Sequence, residues 1–236
     1  MTDRLGNRMV LGVLIPSVNT TVQPEFEGMR PSGVSNQTGR FALPDLSHFG
    51  SRTNEALDAI VAEIASAMDM LRAAVPDAIA LAYSTEYLAG GYVSAAAMQD
   101  AVKDAAGGIP VTGATISVPR ALDIFSAKRI GIVTPYADIG NTHVKALFDQ
   151  GGYTVTAIAG APRAAGTSAA ATREKDIRAA FDIVDGDGVD ARVTDSGHYQ
   201  PRAVASGQRS SAFDWGDRWS GDLRQFWRRM SSAIRV

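Results

Sequence analysis

Cysteine is absent from all 236 residues, and that one gap removes disulfides, thiolate metal sites and thiol nucleophiles together. Histidine is scarce: His48, His143 and His198 are the only three, and their positions form neither a serine triad nor a metal-ligand spacing. No apolar run approaches the roughly 18 residues that span a bilayer. The polar start Met1-Thr2-Asp3-Arg4 lacks the apolar stretch of a signal peptide. Net charge is −2, without the basic excess that nucleic acid or an anionic membrane surface would require. A Gly-rich phosphate loop is missing as well, because Gly186-Asp187-Gly188 leads towards a strand and not a helix. These absences predict a cytoplasmic protein with no cofactor and no metal, whose partner is a small molecule. A homo-oligomer is left open.

What the chain does have is repetition. The apolar run Val10 to Ile15 leads into Pro16-Ser17-Val18-Asn19-Thr20, and Ile130 to Val133 leads into Thr134-Pro135-Tyr136 and then Asn141-Thr142. Asp77-Ala78-Ile79-Ala80-Leu81-Ala82-Tyr83-Ser84-Thr85 follows the first copy about as far on as Asp190-Ala191-Arg192-Val193-Thr194-Asp195-Ser196 follows the second. Two similar halves predict two α/β lobes of roughly 120 residues each, with a ligand cleft between them.

Apolar periodicity places the elements. Strands are expected over 9–15, 34–41, 78–82, 109–116, 129–133 and 153–158, the first a near-continuous apolar run of the kind buried on both faces in a parallel sheet. Helices are expected over 53–74, 93–106, 117–126, 141–150 and 170–184. The first of these spaces Leu57, Ile60, Val61, Ile64, Met68 and Leu71 by threes and fours, and Pro119 is expected in the first turn of the third. The alternation predicts an α/β fold of two lobes, each a short parallel sheet flanked by helices. The lobes are read as 1–127 and 128–191.

Beyond Ala191 the pattern breaks at Arg192. Residues 191–236 carry all three Trp, eight Arg and no Lys, a net charge of +4 against −6 for residues 1–190. One encoding of Gly197-His198-Tyr199-Gln200-Pro201-Arg202, read from its second base, gives Gly-Thr-Thr-Asn-Leu, a ligand-loop sequence. Two readings of 192–236 therefore stand side by side: a divergent Arg/Trp-rich tail, or a segment translated out of frame.

Chemistry is expected at the carboxyl ends of the strands, where loops and helix N-termini collect ligands. Pro16, Ser17, Asn19 and Thr20 offer hydroxyl, amide and backbone donors suited to a carboxylate; Asn19 or Thr20 capping a helix is the structural alternative. Tyr136 and Asn141 occupy the matching place in the second half. Ser84 and Thr85 are read as donors to an oxyanion, and Glu86 as an acid/base if it is buried.

These motifs together resemble the aspartate/glutamate racemase superfamily, and within it the branch of maleate cis–trans isomerases and arylmalonate decarboxylases. They run in order as strand–Pro16-Ser17-Val18-Asn19-Thr20, Asn36-Gln37-Thr38-Gly39-Arg40-Phe41, Ser84-Thr85-Glu86-Tyr87 and Thr134-Pro135-Tyr136 followed by Asn141. The resemblance covers residues 8 to about 191. It implies lobes related by a pseudo-two-fold, with a cofactor-independent isomerase or decarboxylase site between them. A cysteine from one or both lobes would act on a small mono- or dicarboxylate. Carried over, Asn19 and Thr20 bind one carboxylate, Ser84 and Thr85 occupy the first-lobe cysteine loop, Tyr136 and Asn141 bind from the second lobe, and the second cysteine loop falls near Ser196 and Gly197. Ser84, Glu86 and Tyr136 are the catalytic candidates, because no thiol exists here and a serine hydroxyl is several pK units less acidic. The alternatives are a catalytically silent carboxylate-binding protein and a damaged gene product.

Overall fold

The computed structural model describes residues 4–43, 53–83, 91–136, 138–160 and 171–194. Two parallel sheets carry the fold. The first has the order β2-β1-β3-β4, from Val34–Phe41, Met9–Pro16, Ala78–Leu81 and Val111–Gly113; the second has the order β6-β5-β7, from Thr154–Gly160, Arg129–Thr134 and Ala191–Thr194. The helices are α1 (Val22–Gly28), α2 (Thr53–Arg72), α3 (Gly91–Ala105), α4 (Ala114–Ile124), α5 (Asp138–Gln150) and α6 (Glu174–Val184). Among the described residues no helix is long and apolar enough to cross a membrane.

Both sheets are built on the same three-strand plan, with the first strand of each half in the middle. The central strands are apolar along most of their length because both of their faces are covered there. On β1, Leu14 faces α2 and α3 in a core with Ile60, Ile64, Met68, Met98 and Val102, while Val13 and Ile15 face Val22 of α1. On β5, Ile130 and Ile132 join Val144, Leu147 and Phe148 of α5, and Val133 faces Ile177, Ala180 and Val184 of α6. Ala95 of α3 and Leu122 of α4 are buried in that second-sheet core, so these helices join the two halves.

The repeat extends to single atoms. Asp77 accepts the N–H of Val10 on its carboxylate at 2.7 Å and donates its own N–H to the Val10 carbonyl at 2.8 Å. Asp190 does the same at the start of β5: its carboxylate accepts the N–H groups of Arg129 and Lys128, each at 2.8 Å, and its N–H donates to the Arg129 carbonyl at 2.7 Å. Those two backbone donors hold the Asp190 carboxyl below the usual carboxylate range. Each central strand also carries a glycine where a helix crosses it. A Cβ on Gly12 would lie 3.1 Å from Leu71 of α2, and one on Gly131 would lie 2.4 Å from the Val184 carbonyl of α6.

Several boundaries differ from expectation. The strand expected over 109–116 is only Val111–Gly113, and the helix begins at Ala114, not Ser117. The β-branched residues Thr115 and Ile116 mimic a strand, but Gly113 is the last extended residue, and the Thr112 and Ser117 hydroxyls pair at 2.8 Å across the turn. Pro119 consequently stands inside α4 and not in its first turn, where it forfeits one backbone bond. Its carbonyl accepts the Tyr153 hydroxyl at 3.2 Å. The short α1 had no periodic signal, and α5 starts at Asp138, three residues earlier than expected. Arg192 does not end the pattern: β7 runs through it to Thr194, paired with β5. Its side chain is mostly buried, and the guanidinium pairs with Asp185 at the end of α6, so the stem packs while the charge is met. Residues 195–236, where the two readings of the tail diverge, lie outside the described residues.

Candidate functional site

The loop after β1 is organised by Asn19. Ser17 N–H donates to the Phe41 carbonyl at 2.8 Å, which ties the loop to the end of β2, and Asn19 N–H donates to the Pro16 carbonyl at 3.0 Å. Asn19 is 4% exposed. Its Oδ1 accepts the N–H of Thr21 at 3.0 Å and of Val22 at 2.9 Å, together with the Thr21 hydroxyl at 3.4 Å. Asn19 thus braces the turn that leads into α1, whose N-cap is Thr21, a structural role close to the helix cap weighed against ligand binding. Those backbone N–H groups can only donate, so the atom facing them is the amide oxygen. Ser17 and Thr20 are exposed, and Pro16 is buried.

The loop after β5 reaches the same polarity by another route. Thr134, fully buried, accepts the Tyr136 N–H on its hydroxyl at 3.2 Å and donates that hydroxyl to Asn141 Oδ1. Asn141, one turn into α5, is again held by its oxygen and can present its NH2. Tyr136 is wedged between two glycines: a Cβ on Gly160 would lie 2.6 Å from the Tyr136 carbonyl oxygen, and one on Gly140 would lie 2.6 Å from Tyr136 Cβ. Its ring packs partly against the second-sheet core.

The third loop follows β3. Tyr83 anchors its start, 7% exposed and edge-to-face with Phe41 at a centroid distance of 5.5 Å. Ser84, Thr85 and Glu86, expected to supply the oxyanion donors and the acid/base, lie outside the described residues. The structure therefore places Pro16, Ser17, Asn19, Thr20, Tyr136 and Asn141 at the carboxyl ends of the two central strands. Among the described residues, no three His, Asp or Glu side chains gather where a metal could be held.

Three residues escaped the sequence reading. Thr134 fixes the second asparagine. Arg40, the penultimate residue of β2, lies opposite Ile15 in the register; its guanidinium donates to the Asn19 carbonyl at 2.9 Å, the Ser17 carbonyl at 3.3 Å and Gln23 Oε1 at 3.0 Å. Glu25 is half-buried on α1, and burial pushes its carboxyl from 4.5 up to about 7. A pairing register could have pointed to Arg40; Thr134 stood in the quoted Thr-Pro-Tyr motif without a role assigned to it, and nothing in the sequence pointed to Glu25.

The profile of the arylmalonate decarboxylase family matches residues 11–172, a span that contains both organised loops. The chain belongs to the arylmalonate decarboxylase family. No curated protein matches it by sequence. Among solved structures it is similar to a maleate cis-trans isomerase of Nocardia farcinica bound to TRIS, at 20% identity and a TM-score of 0.69, over 83% of this chain and 81% of that one. The maleate isomerase Iso of Pseudomonas putida S16 is similar at 18% identity and a TM-score of 0.65, over 81% and 80%. Unliganded arylmalonate decarboxylase is similar at 16% and 0.59, over 80% and 88%. These likenesses bear out the fold expected from the sequence: α/β, with two parallel sheets flanked by helices. The family membership bears out the suspected branch of the superfamily.

Proposed function

We propose that this family member acts without a cofactor on a small mono- or dicarboxylate, as an isomerase- or decarboxylase-like protein. One observation carries the reading. At the carboxyl end of each central strand the described loop residues offer hydroxyl, amide and backbone groups and no carboxylate, and an asparagine braces the loop through its oxygen. Donors without a competing acceptor suit an anion, and a carboxylate takes two or more of them. Asn19, Tyr136 and Asn141 are the contacts of this reading, joined by Pro16, Ser17 and Thr20 beside them and by Ser84 and Thr85 after β3.

The reaction needs a group other than a thiol. A cysteine-to-serine variant of the Nocardia farcinica isomerase carries a covalently bound succinylcysteine intermediate, and a chain with no cysteine cannot form such an adduct. In this reading proton transfer falls to Glu86 or Tyr136, with Ser84 and Thr85 donating to the oxyanion. The second reading, a carboxylate-binding protein without turnover, is favoured by that same lack of cysteine.

Thermal-shift and calorimetric titration with maleate, malonate, an arylmalonate, aspartate and 2-hydroxy acids test the ligand class. At least one should stabilise the protein, and Asn19→Asp and Asn141→Asp should each weaken it at least tenfold, because a carboxylate repels the ligand where the amide donated. Indifference of the wild-type protein to the whole panel rejects the proposal. Proton NMR of a binding ligand in deuterated water then separates the readings: exchange, isomerisation or loss of carbon dioxide marks an enzyme, and a static spectrum marks a binder.

A further inference from the structure

Asn141 cannot be oriented by the backbone around it. It is the fourth residue of α5, so the N–H groups that follow it are spent on the helix's own bonds, whereas the oxygen of Asn19 is gripped by the N–H groups of Thr21 and Val22. Thr134, the last residue of β5 and fully buried, takes over that task. Its hydroxyl accepts the Tyr136 N–H at 3.2 Å, a group that can only donate, and its single proton goes to Asn141 Oδ1. The chain from Tyr136 N–H through Thr134 Oγ1–H to Asn141 Oδ1 therefore runs in one direction, and each donor polarises the next. Among the described residues the Asn141 side chain bonds through its oxygen alone. Its Nδ2 lies 3.5 Å from where a Cβ on Gly160 would stand, and Gly160 is the register partner of Thr134, so the bare glycine leaves the amide room.

We propose that Thr134 is a positioning residue: through its hydroxyl it turns the Asn141 amide so that the NH2 group, and not the oxygen, meets a bound carboxylate. This rests on the carboxylate reading above for its ligand and adds the residue that sets the polarity of the second half. An amide has nearly the same shape at both ends, so packing alone does not choose between them. Turned over, Asn141 would offer the ligand an acceptor in place of a donor, and two oxygens would face each other with no proton between them. The choice is made by one hydroxyl that is closed to solvent and touches no ligand. Valine has the shape of threonine without that hydroxyl, and serine has the hydroxyl without the methyl, so the two substitutions separate bonding from packing.

The test follows the side-chain amides of the full chain by nitrogen–proton NMR, with the Asn141 NH2 pair assigned by its loss in Asn141→Asp. In the wild-type protein that pair should give one set of resonances, and a carboxylate that binds, malonate or maleate, should move it. Thr134→Val should displace the pair or split it in two, and should weaken the ligand about fivefold with the fold intact by circular dichroism. Thr134→Ser should return the wild-type resonances and bring affinity to within about twofold of wild type. Equal weakening in both variants would show that the methyl and its packing matter, and would overturn the proposal, as would wild-type resonances in Thr134→Val. Should Thr134→Val not fold, the wild-type titration and Thr134→Ser decide: a pair that moves on binding, with affinity kept by serine, supports the proposal, and a pair that stays still overturns it. If no carboxylate of the panel binds the wild-type protein, the carboxylate reading itself fails; if one binds and the Asn141 pair ignores Thr134→Val, only this inference does.

Discussion

Glu25 separates what a residue type suggests from what its surroundings make it. Half-buried on the short α1, its carboxyl is pushed up to about 7 by loss of solvent, so the folded chain binds a proton there more tightly than the unfolded chain does. Between about pH 4.5 and 7 the folded state carries the extra proton, and stability therefore falls as pH rises through that window. This is the reverse of a carboxylate held by a salt bridge. Glu25→Gln should remove the dependence: its gain in melting temperature over wild type should grow from about pH 5 to about pH 8, and a constant gain would refute the assignment. The residue scale is also where the sequence was least legible. Pro-Ser-Val-Asn-Thr could be recognised as a polar loop, but a cap and a ligand contact use the same residue types. Asn19 braces the start of α1 by its oxygen, which is the structural one of the two roles. Arg40 was quoted in a motif, but its part in the loop after β1 could not be seen, because its neighbourhood is set by strand register and not by chain order.

Elements were read more securely where their apolar period was strong. The stripe from Leu57 to Leu71 gave α2, and the strand at 9–16 follows its apolar run almost residue for residue. Where the signal was compositional the reading failed, as at Thr115 and Ile116. These residues favour strands, but the turn at Gly113 and the packing of Leu122 against the second core put them in a helix. The paired glycines test how elements approach each other. On β5, Gly131→Ala drives a methyl into the Val184 backbone, which α6 can relieve only by moving, and overpacking of this kind costs about 3 kcal/mol. On β1, Gly12→Ala meets the Leu71 and Ile79 side chains at 3.1 Å, which can yield, so about 1 kcal/mol is expected. Urea unfolding of the two variants measures both, and equal losses would contradict this account.

At the scale of the whole molecule, the duplication was legible because each half repeats a strand, a Pro-containing loop and a later Asp-Ala strand. The second half seemed to fail at Arg192 only because a charge in a strand reads as a break until its partner, Asp185, is known. The junction of the halves was not legible: small Ala95 on α3 gives no hint that it enters the neighbouring core. The absence of cysteine is likewise a property of the whole chain, and it sets this protein apart from thiol chemistry whatever its loops retain.

The aspartate clasps bear on the order of folding. Asp77 closes a segment of 67 residues back on Val10, and Asp190 closes one of 61 on Arg129. Loop-closure entropy grows only with the logarithm of length, so the two closures differ by about 0.1 kcal/mol. Chain topology therefore gives neither half a head start, and stopped-flow refolding of Asp77→Ala and Asp190→Ala should show comparable slowing. Whichever half assembles first is chosen by the strength of its local helices, and the long α2 favours the N-terminal one.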